Sequence, residues 1–293
     1  MNTIRPTTTF PAPCSASLRN RLATPSTYFL LGLLALLFMA PIALMVVGSL
    51  KPDDLVLIES GSLKGFFPDT VSLHNYRNVF ARVNFPRFLF NSLIINTTIV
   101  AAGVCINSMA AYAFARLQWP GRDLLFSVIL ALLIVPLEAI AVPLFYQVTV
   151  WGWRDTYHVQ ILPFVANSFS IYLFYSFFIG LPRELEDAAR LDGAGPWRIF
   201  FQIILPNSKP VFATVAVLTF LTQWSSFLWP LMVTIGEEVR PLPLAIAAFH
   251  TLPPLQWGDI LAFGVMMVTP VLIVFLLCQR WVVRGVVSTG IKG

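Results

Sequence analysis

The sequence predicts an all-α membrane protein with six transmembrane helices in one domain. Three observations support this fold class. Hydrophobic residues make up 57% of the chain and charged residues only 11%, whereas soluble domains carry roughly 25% charged residues. Six separate stretches are long and apolar enough to cross a hydrocarbon core, which takes about 20 residues per helix. The basic residues are also divided unequally between the two predicted sides of the membrane.

The six apolar stretches predict the transmembrane helices and leave only short connections between them. They cover residues 28–50, 89–114, 124–148, 159–180, 211–235 and 259–282. No connection is long enough for a second folded domain, so residues 28–293 are predicted to form one six-helix domain. Residues 1–27 are rich in Thr, Pro, Ser and Arg without an apolar period, which predicts a mobile N-terminal tail.

The distribution of Lys and Arg predicts that both termini lie in the cytoplasm. With the N-terminus inside, twelve of the nineteen basic residues fall on the inner side and seven on the outer side. This bias follows the positive-inside rule of membrane proteins. It also explains the net charge of +5 without a nucleic-acid partner, so membrane lipid is the expected surrounding. In the first outer connection, residues 72–76 have the character of a short helix start.

A charged insertion, residues 182–210, separates the fourth and fifth apolar stretches. Pro182 and the acidic residues after it suit the first turn of a helix. Gly193 ends that helix because glycine readily adopts the left-handed conformation of a tight reversal, and Pro196 opens a second, more apolar helix. The pattern predicts a helical hairpin hinged on residues 192–194. Two roles remain open for it: an amphipathic connector on the membrane surface, or a docking surface for another protein.

The segment from Leu181 to Pro210 resembles the EAA loop of ABC importer permeases. That family pattern is Glu-Ala-Ala, two residues, Asp-Gly-Ala, and then an apolar helix ending in Leu-Pro. The matching residues here are Asp187, Ala188, Ala189, Asp192, Gly193, Ala194, Leu205 and Pro206. The one departure is Asp187 in place of Glu, which keeps the charge but shortens the side chain, and Glu186 stands beside it.

Three further segments extend the resemblance to binding-protein-dependent sugar permeases of the maltose and glycerol-phosphate type. They are residues 111–116, 224–231 and 283–293. The resemblance implies a permease subunit of the bacterial inner membrane that forms the translocation pathway for a mono- or oligosaccharide. A polyol or a glycerol phosphodiester is the alternative solute. The implied partners are a second related permease, two copies of a cytoplasmic ATP-binding subunit and an extracytoplasmic solute-binding protein.

The resemblance assigns the hairpin to ATPase coupling. In these machines the permease hairpin sits in a cleft of the ATPase, so nucleotide-driven closure there moves the transmembrane helices. The residues expected to carry this coupling are Glu186, Asp187, Ala188, Ala189, Asp192, Gly193 and Ala194.

Two other classes of function fit the sequence less well. A proton-coupled secondary carrier needs several ionisable groups at membrane depth, and here only Glu138 qualifies. An intramembrane enzyme needs nucleophiles, paired acids or metal ligands within the apolar stretches, and none is recognisable, so no catalytic residue, metal site or cofactor is predicted. The chain also lacks G-x-x-x-x-G-K-[ST], so ATP hydrolysis is assigned to a partner.

Polar residues within the apolar stretches mark the candidate pathway. Glu138 costs at least about 2.5–3.5 kcal/mol at the bilayer centre, so it should face the bundle interior, a water-filled cavity or a cationic partner. Gln223, Trp224 and Ser225 follow each other in the fifth stretch, where related permeases often carry Trp-Asn instead of Trp-Ser. These four residues are predicted to flank the passage near its outer gate. Trp224 suits stacking on a sugar ring or ordinary packing equally well.

Overall fold

The computed structural model describes residues 16–68 and 70–290, and within those ranges the protein is helical without any β-strand. The chain order is α1 (Ala16–Ser49), α2 (Asp53–Glu59), α3 (His74–Arg82), α4 (Phe85–Arg116), α5 (Arg122–Ala131), α6 (Leu137–Val150), α7 (Tyr157–Val165), α8 (Ser168–Ile179), α9 (Glu184–Leu191), α10 (Pro196–Ile199), α11 (Leu205–Asn207), α12 (Lys209–Trp224), α13 (Leu228–Val233), α14 (Leu242–Phe249) and α15 (Trp257–Gly290). Residues Leu63–Phe66 and Leu132–Ile134 form 3₁₀ turns, and Phe200–Ile204 form a π-helical turn.

Four helical stretches among the described residues are long and apolar enough to cross a membrane. They are Thr27–Ser49, Phe85–Arg116, Tyr157–Ile179 and Trp257–Gln279, which coincide with the first, second, fourth and sixth predicted spans. Two bent helix pairs raise the number to six if each pair is one span. An all-α fold with four to six candidate membrane spans among the described residues is therefore confirmed.

The third predicted span, residues 124–148, is not one helix. Its two halves, Arg122–Ile134 and Leu137–Val150, meet at an angle of 102°. Pro136 causes the break, because proline lacks the N–H that a continuing helix needs and pushes the residue before it out of the helical region. Val135 is accordingly extended, with φ −80° and ψ 110°.

The fifth predicted span, residues 211–235, is also interrupted. Helix α12 ends at Trp224, and a break of three residues precedes the short helix α13. A second bend, of 80°, separates Pro196–Asn207 from Lys209–Trp224 at the base of the predicted hairpin.

The structure also bears on the two predictions made outside the spans. Helix α1 begins at Ala16, so the boundary predicted at residue 27 does not mark the start of a helix. Residues 1–15, the rest of the predicted tail, lie outside the described residues. The short helix predicted from residues 72–76 is present as α3, which begins at His74.

Helix α4 is the centre of the bundle. It packs against α7, α8 and α12, while α15 packs against α1 and α12. At the C-terminal end of α4 an apolar cluster joins α4, α8, α12 and the 184–207 segment, and we call this the hairpin end. At the N-terminal end of α4 a second cluster joins α3, α4, α12, α14 and α15, and we call this the loop end.

Hydrogen bonds and ion pairs hold the short helices at the loop end. Asp259, at the start of α15, is fully buried and pairs with Arg82 of α3 at 2.9 Å. The same guanidinium donates to the carbonyls of Leu252 and Pro254. Asn75 donates to the carbonyls of Ser49 and Lys51 beyond α1. These contacts fix α3 across the ends of α1 and α15.

The two ends of the bundle generate a prediction of topology. A phosphatase reporter inserted at Gly61, in the exposed turn after α2, should be active, because that enzyme needs an oxidising compartment for its disulfides. The same reporter after Gly293 should be inactive, since the six predicted crossings would return the chain to the side of its N-terminus, the predicted cytoplasm. An insertion at Gly121, between α4 and α5, is the internal control and should be inactive as well. Activity after Gly293 would mean an odd number of crossings.

Candidate coupling hairpin and pathway cavity

The segment between α8 and α12 is a helix–turn–helix, as its sequence predicts. Helix α9 ends in a Schellman turn: Gly193 donates to the Arg190 carbonyl at 3.0 Å and Ala194 to the Ala189 carbonyl at 2.9 Å. Gly193 has φ +78°, in the left-handed region that residues with a Cβ rarely adopt. The turn therefore depends on glycine at this position.

The second helix of the hairpin is divided into an outward and an inward face. Pro196 occupies its first turn, where a missing N–H costs nothing. Ile199, Phe200 and Ile204 are buried in the apolar cluster of the hairpin end. Trp197 is 67% exposed. The π-helical turn at 200–204 lies in the middle of this helix, and such turns are frequent at functional sites.

A buried ion pair attaches the hairpin to the bundle. The Nε of Arg116, in the last turn of α4, lies 3.0 Å from Oε1 of Glu186 in α9, and both side chains are only 3% exposed. The angle at this contact falls outside hydrogen-bond geometry, so it is an ionic contact. Nη2 of Arg116 also donates to the carbonyls of Phe178 and, at 2.6 Å, Leu181. One guanidinium thus joins α4, the end of α8 and α9.

The residues predicted for coupling separate into two groups. Glu186 is buried, and Ala189 and Ala194 pack against the apolar cluster of their own chain. The others are exposed to solvent: Asp187, Ala188, Asp192 and Gly193. The sequence pattern places Asp187 at the family's acidic position and Glu186 merely beside it, but only Glu186 is held inside the fold.

The four residues predicted for the pathway do not come together. Gln223 and Trp224 line a small cavity at the loop end. Trp224 donates from its indole nitrogen to the Met267 carbonyl at 3.1 Å and stacks on Phe220, which is a packing role. Ser225 is exposed and donates to carbonyls of its own helix. Glu138 is exposed on the first turn of α6, beside the 102° break.

The cavity measures about 20 Å³. It lies between α4, α7, α12 and the residues around the start of α14. Its lining residues are Ser92, Ile95, Asn96, Gln160, Gln223, Trp224, Ser226, Pro230, Pro241 and Pro243. No group of three His, Cys, Asp or Glu that could hold a metal lies together in the parts of the chain that the structure describes.

The loop over this cavity, residues 238–242, is fixed to the bundle through its backbone. Asn91 donates to the carbonyls of Glu238 and Arg240, and Gln160 donates to the carbonyl of Val239 at 2.8 Å. The backbone N–H of Leu242 donates to Ser92 at 2.8 Å. Polar side chains of α4 and α7 therefore close the loop end of the cavity.

Two residues of these sites were not singled out by their sequence pattern. Arg116 ends the 111–116 segment and counts there only as an inner-side positive charge. Gln160 is a lone amide at the edge of an apolar stretch, and many such amides only bind a neighbouring helix. Asn107 shows that ordinary role: it donates to the Val165 carbonyl and accepts from the Asn167 N–H, at the break between α7 and α8.

Comparison with known proteins identifies the family. The family of binding-protein-dependent transport system inner membrane components matches residues 103–288. The chain belongs to this family. Its match begins within α4 and includes the hairpin, both broken helices and most of α15, whereas the cavity residues Ser92, Ile95 and Asn96 precede it.

Two curated permeases resemble this one over most of both chains. The arabinooligosaccharides transport system permease protein AraQ of Bacillus subtilis is 32% identical over 263 residues, covering 89% of this permease and 93% of the relative. The diacetylchitobiose uptake system permease protein NgcG of Streptomyces coelicolor is 34% identical over 283 residues, covering 95% and 92%.

A solved structure shares the fold. It is the crystal structure of a bacterial ABC transporter involved in the import of the acidic polysaccharide alginate. The TM-score is 0.78, with 93% of this permease and 99% of that chain covered. Because the sequences are 23% identical, this likeness concerns the fold alone.

The ion pair generates a prediction of stability. Arg116→Met should destabilise the hairpin by about 3–5 kcal/mol, because Glu186 then stays buried without a partner. Amide hydrogen exchange of α9 in the purified permease complex measures this as a loss in the free energy of local opening.

Two further variants control this experiment. Arg190→Met removes the half-exposed second partner of Glu186, 3.6 Å away, and should cost less than about 1 kcal/mol. The double variant Arg116→Met with Glu186→Leu should recover part of the loss, because no charge remains buried. Equal effects of Arg116→Met and Arg190→Met would contradict the dominant role of Arg116.

Proposed function

We propose that this permease belongs to an ATP-driven importer and forms part of the translocation pathway for a mono- or oligosaccharide. The main support for the proposal is the hairpin. Its exposed face is attached to the helix bundle by a buried ion pair, and this arrangement suits mechanical coupling between a cytoplasmic partner and the membrane helices. The proposed solute follows from the relatives, whose names refer to arabinooligosaccharides and diacetylchitobiose. The proposed unit is one domain, residues 28–293, with six crossings and both termini in the cytoplasm.

The exposed face of the hairpin is the proposed docking surface for a cytoplasmic ATP-binding subunit. It combines a small residue, Ala188, with the carboxylates of Asp187 and Asp192 and with apolar side chains that water does not favour. Leu191 is 90% exposed and Trp197 67% exposed. Apolar groups exposed to this extent beside charges are typical of a surface that a partner covers. Two copies of the ATP-binding subunit would serve this permease and its sister.

The ion pair gives the docking surface a way to act on the membrane helices. Movement of α9 carries Glu186 with it, and separating Glu186 from Arg116 would leave two buried charges unpaired. Arg116 must therefore follow, and with it the ends of α4 and α8. Glu186 is thus proposed as a positioning residue, while Asp187, Ala188, Asp192 and Gly193 are proposed as the contacting residues.

A second related permease is proposed to cover the face that carries Glu138. This carboxylate is exposed on the isolated chain, within an apolar segment predicted to cross the membrane. A charge facing lipid there is costly, so a protein partner or a water-filled passage between two permeases is the favoured surrounding. Gln223, Trp224 and Ser225 are proposed to lie along the same passage, into which an extracytoplasmic binding protein releases the solute.

Reconstitution of the complete importer in proteoliposomes tests the function. With the binding protein outside and ATP enclosed, the complex should accumulate at least one of maltose, trehalose, arabinobiose and diacetylchitobiose. Uptake of sorbitol or of glycerophosphocholine alone would favour the alternative solute class, a polyol or a glycerol phosphodiester. Uptake that follows a pH gradient and ignores ATP would refute the importer and favour a secondary carrier.

The docking surface generates its own prediction. Ala188→Arg should leave the hairpin folded, because position 188 is exposed, but should prevent the close approach of the ATP-binding subunit. Co-purification of that subunit with the permease should fall several-fold, and sugar uptake with it. Ala81→Arg, at an exposed alanine of α3 on the loop end, is the matched control and should retain the subunit. Retention by both variants would refute docking at Ala188.

A further inference from the structure

The cavity at the loop end has an unusual polar character for its position. Its polar side chains come from three segments, with Ser92 and Asn96 on α4, Gln160 on α7 and Gln223 and Ser226 around the end of α12. None of the described residues that line it is charged. Buried polar groups in a folded protein nearly always have hydrogen-bond partners, so each unpaired one calls for an explanation.

Two residues that line this cavity carry an unpaired amide oxygen. Asn96 is 3% exposed and Gln160 is 2% exposed, and neither Asn96 Oδ1 nor Gln160 Oε1 has a hydrogen-bond partner among the described residues. Their nitrogens are occupied: Asn96 Nδ2 donates to the Ser92 carbonyl and Gln160 Nε2 to the Val239 carbonyl, both at 2.8 Å. A carbonyl only accepts, so turning either amide round would place two acceptors together. The free atoms are therefore acceptors.

The size of the cavity limits what can pair with them. A cavity needs roughly 10–15 Å³ to hold one water molecule, and this one has about 20 Å³. A single hydroxyl-bearing group fits, whereas a whole sugar ring does not. A water molecule offers two donors for the two free acceptors. Because no lining residue is negatively charged, the site suits a neutral O–H donor better than a desolvated cation.

We infer that this cavity is a hydroxyl-binding subsite of the translocation pathway, occupied by one water when no sugar is bound and by a sugar hydroxyl during transport. Asn96 Oδ1 and Gln160 Oε1 accept the hydrogen bonds of the occupant. The assignment of a sugar hydroxyl rests on the proposed transport function. Half-buried Gln223, whose side chain makes no hydrogen bond to any other described residue, lies at the same cavity and extends the polar lining.

Gln160 links the subsite to the loop above it. The same amide that offers its oxygen to the cavity donates from its nitrogen to the Val239 carbonyl and to Thr234. The loop after Val239 carries Pro241 and Pro243, which form part of the cavity wall. Opening of this wall would therefore expose the two acceptors to a solute arriving at the loop end.

The decisive variant is Asn96→Leu, which removes one acceptor at little structural cost. The Asn96 nitrogen bonds only to the carbonyl of Ser92, one turn back in the same helix, so no bond between helices is lost. Thr97→Val is the matched control. Thr97 makes the same kind of bond to the Leu93 carbonyl at 2.6 Å, but it is exposed and does not line the cavity.

Uptake by the complete importer is measured with the best sugar of the panel and with its monodeoxy analogues. The parent complex should transport at least one analogue about five- to tenfold more slowly than the sugar itself. A decrease of this size is expected when about one hydrogen bond is lost. Asn96→Leu should lower the uptake rate of the sugar by the same factor, so that the sugar and that analogue are transported at equal rates. Thr97→Val should behave as the parent. An Asn96→Leu complex that keeps the parent's ranking of analogues overturns the subsite.

A second measurement does not depend on sugar transport. A structure of the sugar-free parent complex, at a resolution that shows waters, should contain one water within hydrogen-bond distance of Asn96 Oδ1 and Gln160 Oε1. An empty or side-chain-filled cavity overturns the subsite. If the water is present while no sugar in the panel is accumulated with ATP, the proposed transport of sugars fails and the polar site itself stands.

Discussion

The position of the hairpin depends on one buried cation, Arg116. Its guanidinium accepts no hydrogen bond and cannot lose its charge, so it needs acceptors on every side. The fold supplies the Glu186 carboxylate from α9 and two carbonyls from the end of α8. The Phe178 carbonyl also accepts from the Leu181 N–H at 3.1 Å, so Arg116 is a second donor to it while it neutralises Glu186. Helices α4, α8 and α9 are therefore joined by a charge that could not be left unpaired.

Helix α4 carries the consequences of this contact along the molecule. With 32 residues it is about 48 Å long at 1.5 Å per residue. Arg116 is at one end of it and Asn107 binds the break between α7 and α8 farther along. Asn91, Ser92 and Asn96 reach the loop and cavity near the other end. Helix α4 therefore makes polar contacts at three levels between the hairpin end and the loop end.

The third and fifth predicted spans differ from the continuous helix α4, because each of them is broken. Pro136 divides the third apolar segment, and the chain between α12 and α13 interrupts the fifth. Non-helical backbone at membrane depth is stable only where protein or water covers it. Ser226, in the second break, lines the cavity beside Gln223, whereas Glu138, next to the first break, faces outward on the isolated chain. The two breaks therefore lie in different surroundings. The second is beside a cavity inside this chain, and the first is at the surface of the chain.

The sequence alone determined the features that depend on local physical chemistry. Apolar length predicted the four helical stretches that are long enough to cross a membrane without a sharp bend. The hairpin turn followed from Gly193, because a left-handed residue strongly favours glycine whatever surrounds it. The start of α3 likewise needed only its neighbours in sequence.

The tertiary structure decided every feature that depends on residues far apart in the chain. Glu186 is buried and Asp187 is exposed because Arg116 packs against the Glu186 side of α9. Arg116 lies outside residues 182–210, so the pattern of that segment could not show which acidic residue would be buried. Ala189 packs against the apolar cluster of the hairpin end, and this contact too depends on residues outside the hairpin. The free acceptors of Asn96 and Gln160 appear only when α4 and α7 lie side by side, since an amide in a sequence does not show which of its atoms will find a partner. Local conformation is set by neighbours along the chain, whereas burial and pairing are set by packing.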